Sequence, residues 1–157
     1  MKLFLRALVV IGVLSSCSSN STGNQEWPSV TVQNIDGVDI NSSVVFNNNT
    51  TVIALWSTTC IPCRVELPQL QDFAATHPEV DVIAVNLGDV PNSVQQYVQE
   101  LGLTMPVIID FEGRVSTALG ITSLPSTLVL SPTGKVVTTH LGEITAAELA
   151  LLVETSS

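Results

Sequence analysis

The run Thr51-Val52-Ile53-Ala54-Leu55-Trp56 constrains this chain more than any other feature. It is apolar and rich in β-branched residues, with Asn47-Asn48-Asn49 before it and Ser57-Thr58-Thr59 after it. A strand that lacks polar alternation is buried on both faces, so it belongs inside a parallel or mixed sheet covered by further layers. Immediately downstream stand Cys60-Ile61-Pro62-Cys63, and then Val65, Leu67, Leu70, Phe73 and Ala74 at helical spacing. The helix ends before His77-Pro78, because a residue preceding proline avoids helical geometry.

The remaining elements alternate around this unit. Val30-Thr31-Val32 and Val38-Asp39-Ile40 read as a short hairpin turned by Asn34-Ile35-Asp36-Gly37. A strand follows over Val80 to Asn86, and Val94, Tyr97, Val98 and Leu101 make one face of a second helix, entered at Asp89 to Pro91 and closed by Gly102. Met105 to Asp110 is a strand, and Val115 to Leu119 a short helix ended by Gly120. Ser126 to Leu130 and Val136 to His140 flank the turn Ser131-Pro132-Thr133-Gly134, and Ala146 to Val153 is a terminal helix. The order β-β-β-α-β-α-β-α-β-β-α describes a single α/β sandwich with a mixed sheet.

Composition agrees with one compact domain: of 157 residues, 45% are apolar and only 12% charged. Five Lys and Arg stand against fourteen Asp and Glu, a formal charge of −9, with no basic stripe. Nucleic acid is therefore excluded as an expected partner, since phosphate-binding surfaces draw their affinity from clustered cations.

The first residues read as an export signal. Met1-Lys2 and Arg6 give a positive start, Ala7 to Leu14 is apolar, and Leu14-Ser15-Ser16-Cys17 places small residues before a cysteine. The run is shorter than the roughly 20 residues of a spanning helix. Residues 1–16 are assigned to a signal peptide, 17–26 to a flexible linker and 27–157 to the folded domain. The tetrapeptide resembles the lipobox of bacterial lipoproteins, which implies a diacylated Cys17; the alternative is an ordinary cleaved signal. Removing residues 1–16 leaves three basic against fourteen acidic residues, a formal charge of −11, so attachment to an anionic membrane would fall to acyl chains.

Cys60 lies at the start of the long helix with Cys63 one turn inside. Unpaired N–H groups and the helix dipole favour a thiolate there. Cys60 is the expected nucleophile toward a disulfide, and Cys63 the thiol that resolves the mixed disulfide. A zinc site needs about four ligands, and Cys17, His77 and His140 stand at no companion spacing. An inert structural disulfide is the other alternative, and a redox pair fits the helix N-terminus better.

The segment Trp56 to Pro68 resembles the active-site motif of the thioredoxin superfamily, in its extracytoplasmic TlpA/ResA/DsbE-like branch of membrane-tethered thiol-disulfide oxidoreductases. Leu101-Gly102-Leu103-Thr104-Met105-Pro106-Val107 resembles the branch's central insert. Gly120 to Leu130 resembles its cis-proline loop and following strand, and Gly134-Lys135-Val136 with Leu141-Gly142 its closing hairpin. The resemblance implies a thioredoxin-like three-layer α/β sandwich with a central mixed sheet, helices on both faces and an N-terminal hairpin. It implies Cys60 as attacking thiol, Cys63 as resolving thiol and Pro125 as the cis proline presenting the backbone of Leu124 to substrate, with Thr59, Ile61 and Pro62 on the same surface. Glu66 is implied to tune the thiols or shuttle protons, the bland alternative being a first-turn Glu that complements the helix dipole. Ala54 stands where thioredoxins carry a buried Asp.

Thr59 departs from the branch's usual Trp and makes the substrate-facing surface more polar. Arg64 is read as a surface residue, Trp56 as core near the site, Pro68 as structural, and His77 and His140 as surface residues. The implied partners are exported proteins with cysteine pairs, apocytochrome c among them, a membrane thiol donor of electrons, and the membrane through Cys17. A monomer without cofactor or metal is expected. The alternatives are a peroxiredoxin-like thiol peroxidase in which Thr58 or Thr59 assists one cysteine, and a lipoprotein binding module whose cysteines are only a clasp.

Overall fold

The computed structural model describes residues 25–156. The export signal, Cys17 and most of the linker lie outside the described residues. Seven strands form one mixed sheet: β1 (Thr31–Asn34), β2 (Asp39–Asn41), β3 (Thr50–Trp56), β4 (Val80–Leu87), β5 (Val107–Asp110), β6 (Ser126–Leu130) and β7 (Val136–Leu141), in the order β2-β1-β5-β4-β3-β6-β7. Four helices complete the fold: α1 (Ile61–Thr76), α2 (Pro91–Leu101), α3 (Arg114–Leu119) and α4 (Ala146–Glu154). β3 is parallel to β4 and antiparallel to β6, so the apolar run at 51–56 is central, as its composition predicts.

Strand parity sorts the core into two layers. Val52, Ala54 and Trp56 of β3 pack with Leu67, Leu70 and Phe73 of α1, Val94 of α2 and Leu149 of α4. Ile53 and Leu55 face the other way, against Val115 and Leu119 of α3 and Trp27. Helices thus cover both faces, and the expected α/β sandwich with its N-terminal hairpin is present. No helix among the described residues is long and apolar enough to cross a membrane.

Several boundaries differ from the sequence expectation. Val65 is 54% exposed rather than on the buried face of α1. At about 100° per residue it points nearly opposite Cys63 and Leu67, and the buried stripe runs through Cys63, Glu66, Leu67, Leu70 and Phe73. β5 starts at Val107 rather than Met105, because Pro106 has no N–H to give a ladder, although its carbonyl accepts from Ala84 N–H at 2.9 Å. A 3-10 turn at Ser42–Val45, capped by Asn41, was not anticipated. Pairing begins at Gln25, two residues before the expected domain start: Gln25 C=O accepts from Val136 N–H at 2.8 Å, and Glu26 bridges to Lys135.

Candidate active site

β3 ends at Trp56, and Ser57 to Cys60 turn the chain into α1, with Cys60 N–H donating to Ser57 C=O at 3.1 Å. Cys60 is the N-cap of α1 rather than a helical residue. Its backbone is extended, and its Sγ accepts the Cys63 N–H at 3.3 Å. Pro62 in the first turn costs no hydrogen bond, since the first N–H groups of a helix have no internal partner. Cys60 and Cys63 are joined in a disulfide, with Cα atoms 5.3 Å apart. Cys63 is 1% exposed while Cys60 is half-buried. Thr59, Pro62 and Ile61 are exposed beside the pair, Ile61 at 82%.

The Leu124–Pro125 bond is cis. The register pairs Leu55 with Ser126, which sets Pro125 next to the end of β3, where the turn to Cys60 departs. Pro125 is buried, Leu124 is half-buried, and Pro125 C=O accepts from Gly142 N–H at 2.9 Å.

Glu66 is 2% exposed, one turn beyond Cys63 on the same helix face. Ala54 and Thr127 are paired across β3 and β6, and the small Ala54 side chain leaves space for a carboxylate above the sheet. Thr127 Oγ1 donates to Glu66 Oε1 at 3.3 Å, and Ile144 N–H donates to Oε2 at 3.1 Å. Burial pushes the Glu66 carboxyl above its ordinary range. The two donors and His140 pull it down, and Glu143 pushes it up. This carboxyl faces inward with named partners, unlike a first-turn Glu that only complements the helix dipole.

The residue that sequence reading missed is Asp89. It does not cap α2, whose N-cap is Val90 without a side-chain bond. Instead Thr58 donates to it twice, from N–H at 2.7 Å and from Oγ1 at 2.9 Å, and the buried Asn86 amide donates at 2.8 Å. The Asp89 N–H returns a bond to Asn86 Oδ1 at 3.2 Å. The active-site turn is therefore tied to the end of β4. The signal in the sequence is an acidic residue two places before Pro91, which by itself reads as a helix entry.

Trp56 lies 4.9 Å from the Tyr97 ring, and Arg64 sits 5.3 Å over that ring while pairing with Glu100 at 3.4 Å. Arg64 is thus occupied on the α1–α2 surface, and Trp56 is core, as expected. His77 stacks on Phe73, away from the disulfide. Among the described residues, no group of three or more His, Cys, Asp or Glu could hold a metal ion.

The family model for the AhpC/TSA family matches residues 24–139, most of the chain and all of the site up to β7. The chain belongs to the AhpC/TSA family. This AhpC/TSA-family chain is similar to sporulation thiol-disulfide oxidoreductase A of Bacillus subtilis (strain 168), at 26% identity over 151 residues, 90% of each chain. It is 36% identical over 92 residues to thiol-disulfide oxidoreductase ResA of Halalkalibacterium halodurans, covering 57% of this chain and spanning about half, 52%, of that relative. Among solved structures it resembles MTB dsbF in its mixed oxidized and reduced forms, with a TM-score of 0.72 and 25% identity over 82% of this chain and 96% of that one. With Cys60 and Cys63 as its C-x-x-C pair, the chain is a thiol-disulfide oxidoreductase of this type.

Proposed function

We propose that the Cys60–Cys63 dithiol reduces disulfides of exported proteins outside the cytoplasm. The observation that carries this reading is the asymmetry of the pair: Cys60 reaches solvent and caps α1 through its Sγ, while Cys63 is buried one turn from Glu66.

In the dithiol form, the Cys63 N–H and the helix dipole favour the Cys60 thiolate. That thiolate attacks one sulfur of a substrate disulfide, forming a mixed disulfide and releasing the other substrate sulfur as a thiolate that takes up a proton. Cys63 then loses its proton, and Glu66 is the buried group beside it that can accept one. The Cys63 thiolate attacks Cys60 Sγ, the mixed disulfide breaks, and the second substrate thiol leaves. Substrate gains two electrons and two protons, and the chain ends as the disulfide seen here. Exposed Ile61 and Pro62, with Thr59 and the Leu124 backbone beside cis Pro125, supply the surface for an extended substrate segment.

Each turnover consumes the dithiol, so the reading includes a membrane thiol donor that returns two electrons. Cysteine pairs of apocytochrome c are among the targets. An acylated Cys17, with the residues between it and the paired Gln25 as a leash, keeps the domain at the membrane. Support comes from the lipobox-like Leu14 to Cys17 and the apolar start. Thr58 and Thr59 are engaged elsewhere: Thr58 Oγ1 donates to Asp89, and Thr59 Oγ1 lies 3.2 Å from Ser57 Oγ, which weighs against their assisting a peroxidatic cysteine.

Two measurements test this. Equilibration in thiol buffers is expected to give a reduction potential near or below about −250 mV; a value near −120 mV marks an oxidant and overturns the reading. Cys63→Ala is expected to trap several mixed disulfides in envelope extracts. No trapped partner leaves a binding module, and peroxide consumption surviving Cys63→Ala makes it a peroxidase.

A further inference from the structure

Three paired residues cross the sheet beneath Glu66. Ala54 of β3 pairs with Thr127 of β6, and Thr127 pairs with His140 of β7. Directly paired residues on neighbouring strands present their side chains to the same face. His140 therefore stands on the α1 and α4 side with Thr127, whose hydroxyl donates to Glu66 Oε1.

A second link closes this row into a loop. His140 Nε2 lies 3.2 Å from the carbonyl oxygen of Glu143, and the N–H of Ile144 donates to Glu66 Oε2 at 3.1 Å. That carbonyl and that N–H are two ends of one planar peptide group. The imidazole and the buried carboxylate are thus hydrogen-bonded to opposite ends of the same dipole. A charged donor at the carbonyl end polarises the peptide and strengthens the bond its N–H makes at the other end.

We propose that His140 is a positioning residue for Glu66, acting through the Glu143–Ile144 peptide and coupling the proton held by Glu66 to the charge on the imidazole. A positive His140 favours the ionised carboxylate, and a neutral one favours the carboxylic acid. The other groups facing the pair fit this assignment. Thr127 reaches Glu66 from β6, the Glu143 charge opposes ionisation from the β7–α4 connection, and Glu148 of α4 faces His140. Histidine is the side chain whose charge ordinarily changes between about pH 5 and 8. The coupling therefore makes the proton affinity of Glu66 follow the charge carried by His140. Its consequence for disulfide exchange rests on the role proposed for Glu66 above; the coupling itself does not.

The test is a carbon-13 titration of glutamate carboxyl groups in the oxidised full chain, with the Glu66 signal assigned by its loss in Glu66→Gln. The parent is expected to show a Glu66 curve with two inflections, the smaller one tracking the imidazole. His140→Gln keeps an N–H donor for the Glu143 carbonyl but cannot ionise, and is expected to lose that inflection and shift the Glu66 midpoint upward. His140→Leu, which removes donor and charge, is expected to shift it at least as far. A Glu66 curve that superimposes in parent and both variants, with unchanged backbone amide spectra, overturns the proposal. Because the titration contains no substrate and keeps Cys60 and Cys63 joined, it stands apart from the mechanistic role of Glu66. That role fails instead if Glu66→Gln leaves the pH profile of thiol alkylation unaltered.

Discussion

At Glu66 a titratable group is built into the core of a redox protein. Burial holds its folded pKa above the unfolded value of about 4.3. Its contribution to stability is therefore complete below the unfolded pKa and is lost as pH rises through the folded one. Glu66→Gln cannot ionise, so thermal unfolding of oxidised protein is expected to show the variant gaining on the parent as pH rises from acid toward neutral. A pH-independent difference would show that ionisation of Glu66 carries no penalty. The same substitution removes the proposed proton acceptor for Cys63, and is expected to slow resolution of the mixed disulfide and alter its pH dependence in stopped-flow mixing. The Cys60–Cys63 pair was legible from its spacing at a helix start, and the cis bond at Pro125 from the resemblance of Gly120 to Leu130 to a family loop. The environment of Glu66 was not, because its partners Thr127 and Ile144 lie 61 and 78 residues away.

Between elements, the decisive contact is the grip of the β4–α2 connection on the turn that carries Cys60. Asp89→Ala removes the acceptor for both Thr58 donors and orphans the buried Asn86 amide, which costs about 1–3 kcal/mol in denaturant unfolding. Loss of the tie is also expected to lower kcat/KM for disulfide reduction, with Asp89→Asn retaining more of it. Equal activity in parent and Asp89→Ala would mean that the Ser57–Cys60 turn holds its shape unaided. The start of α4 is a capping box, in which the Thr145 side chain accepts from Glu148 N–H and the Glu148 carboxylate accepts from Thr145 N–H. Thr145→Ala is expected to cost about 1 kcal/mol by the same measurement. Those Thr145 bonds hold the Glu148 carboxyl below its ordinary range, so whatever its ionised form adds to stability, apart from the N-cap bond itself, is present above the unfolded pKa and lost as pH falls through the folded one.

Over the whole molecule, the fourteen acidic residues against five basic ones set how partners arrive. Oxidation of the dithiol by a basic disulfide substrate is expected to slow as ionic strength rises, and oxidation by an acidic one to speed up, in stopped-flow rates at low and high salt. Rates insensitive to salt for both would show that contacts at Ile61 and the cis-proline loop govern association. Features that depend on near neighbours can be read along the chain: the buried strand at 51–56, the helix opened by Cys60, the breaks at Pro78, Gly102 and Gly120, and the order of elements. Backbone periodicity and turn chemistry act over a few residues, so they are written in a few residues. Tertiary structure alone decided that the N-terminal hairpin docks on β5, that Asp89 holds Thr58 rather than a helix, and that one peptide of the β7–α4 connection stands between His140 and Glu66. Those outcomes follow from strand register and helix docking, which bring together residues that no local pattern relates.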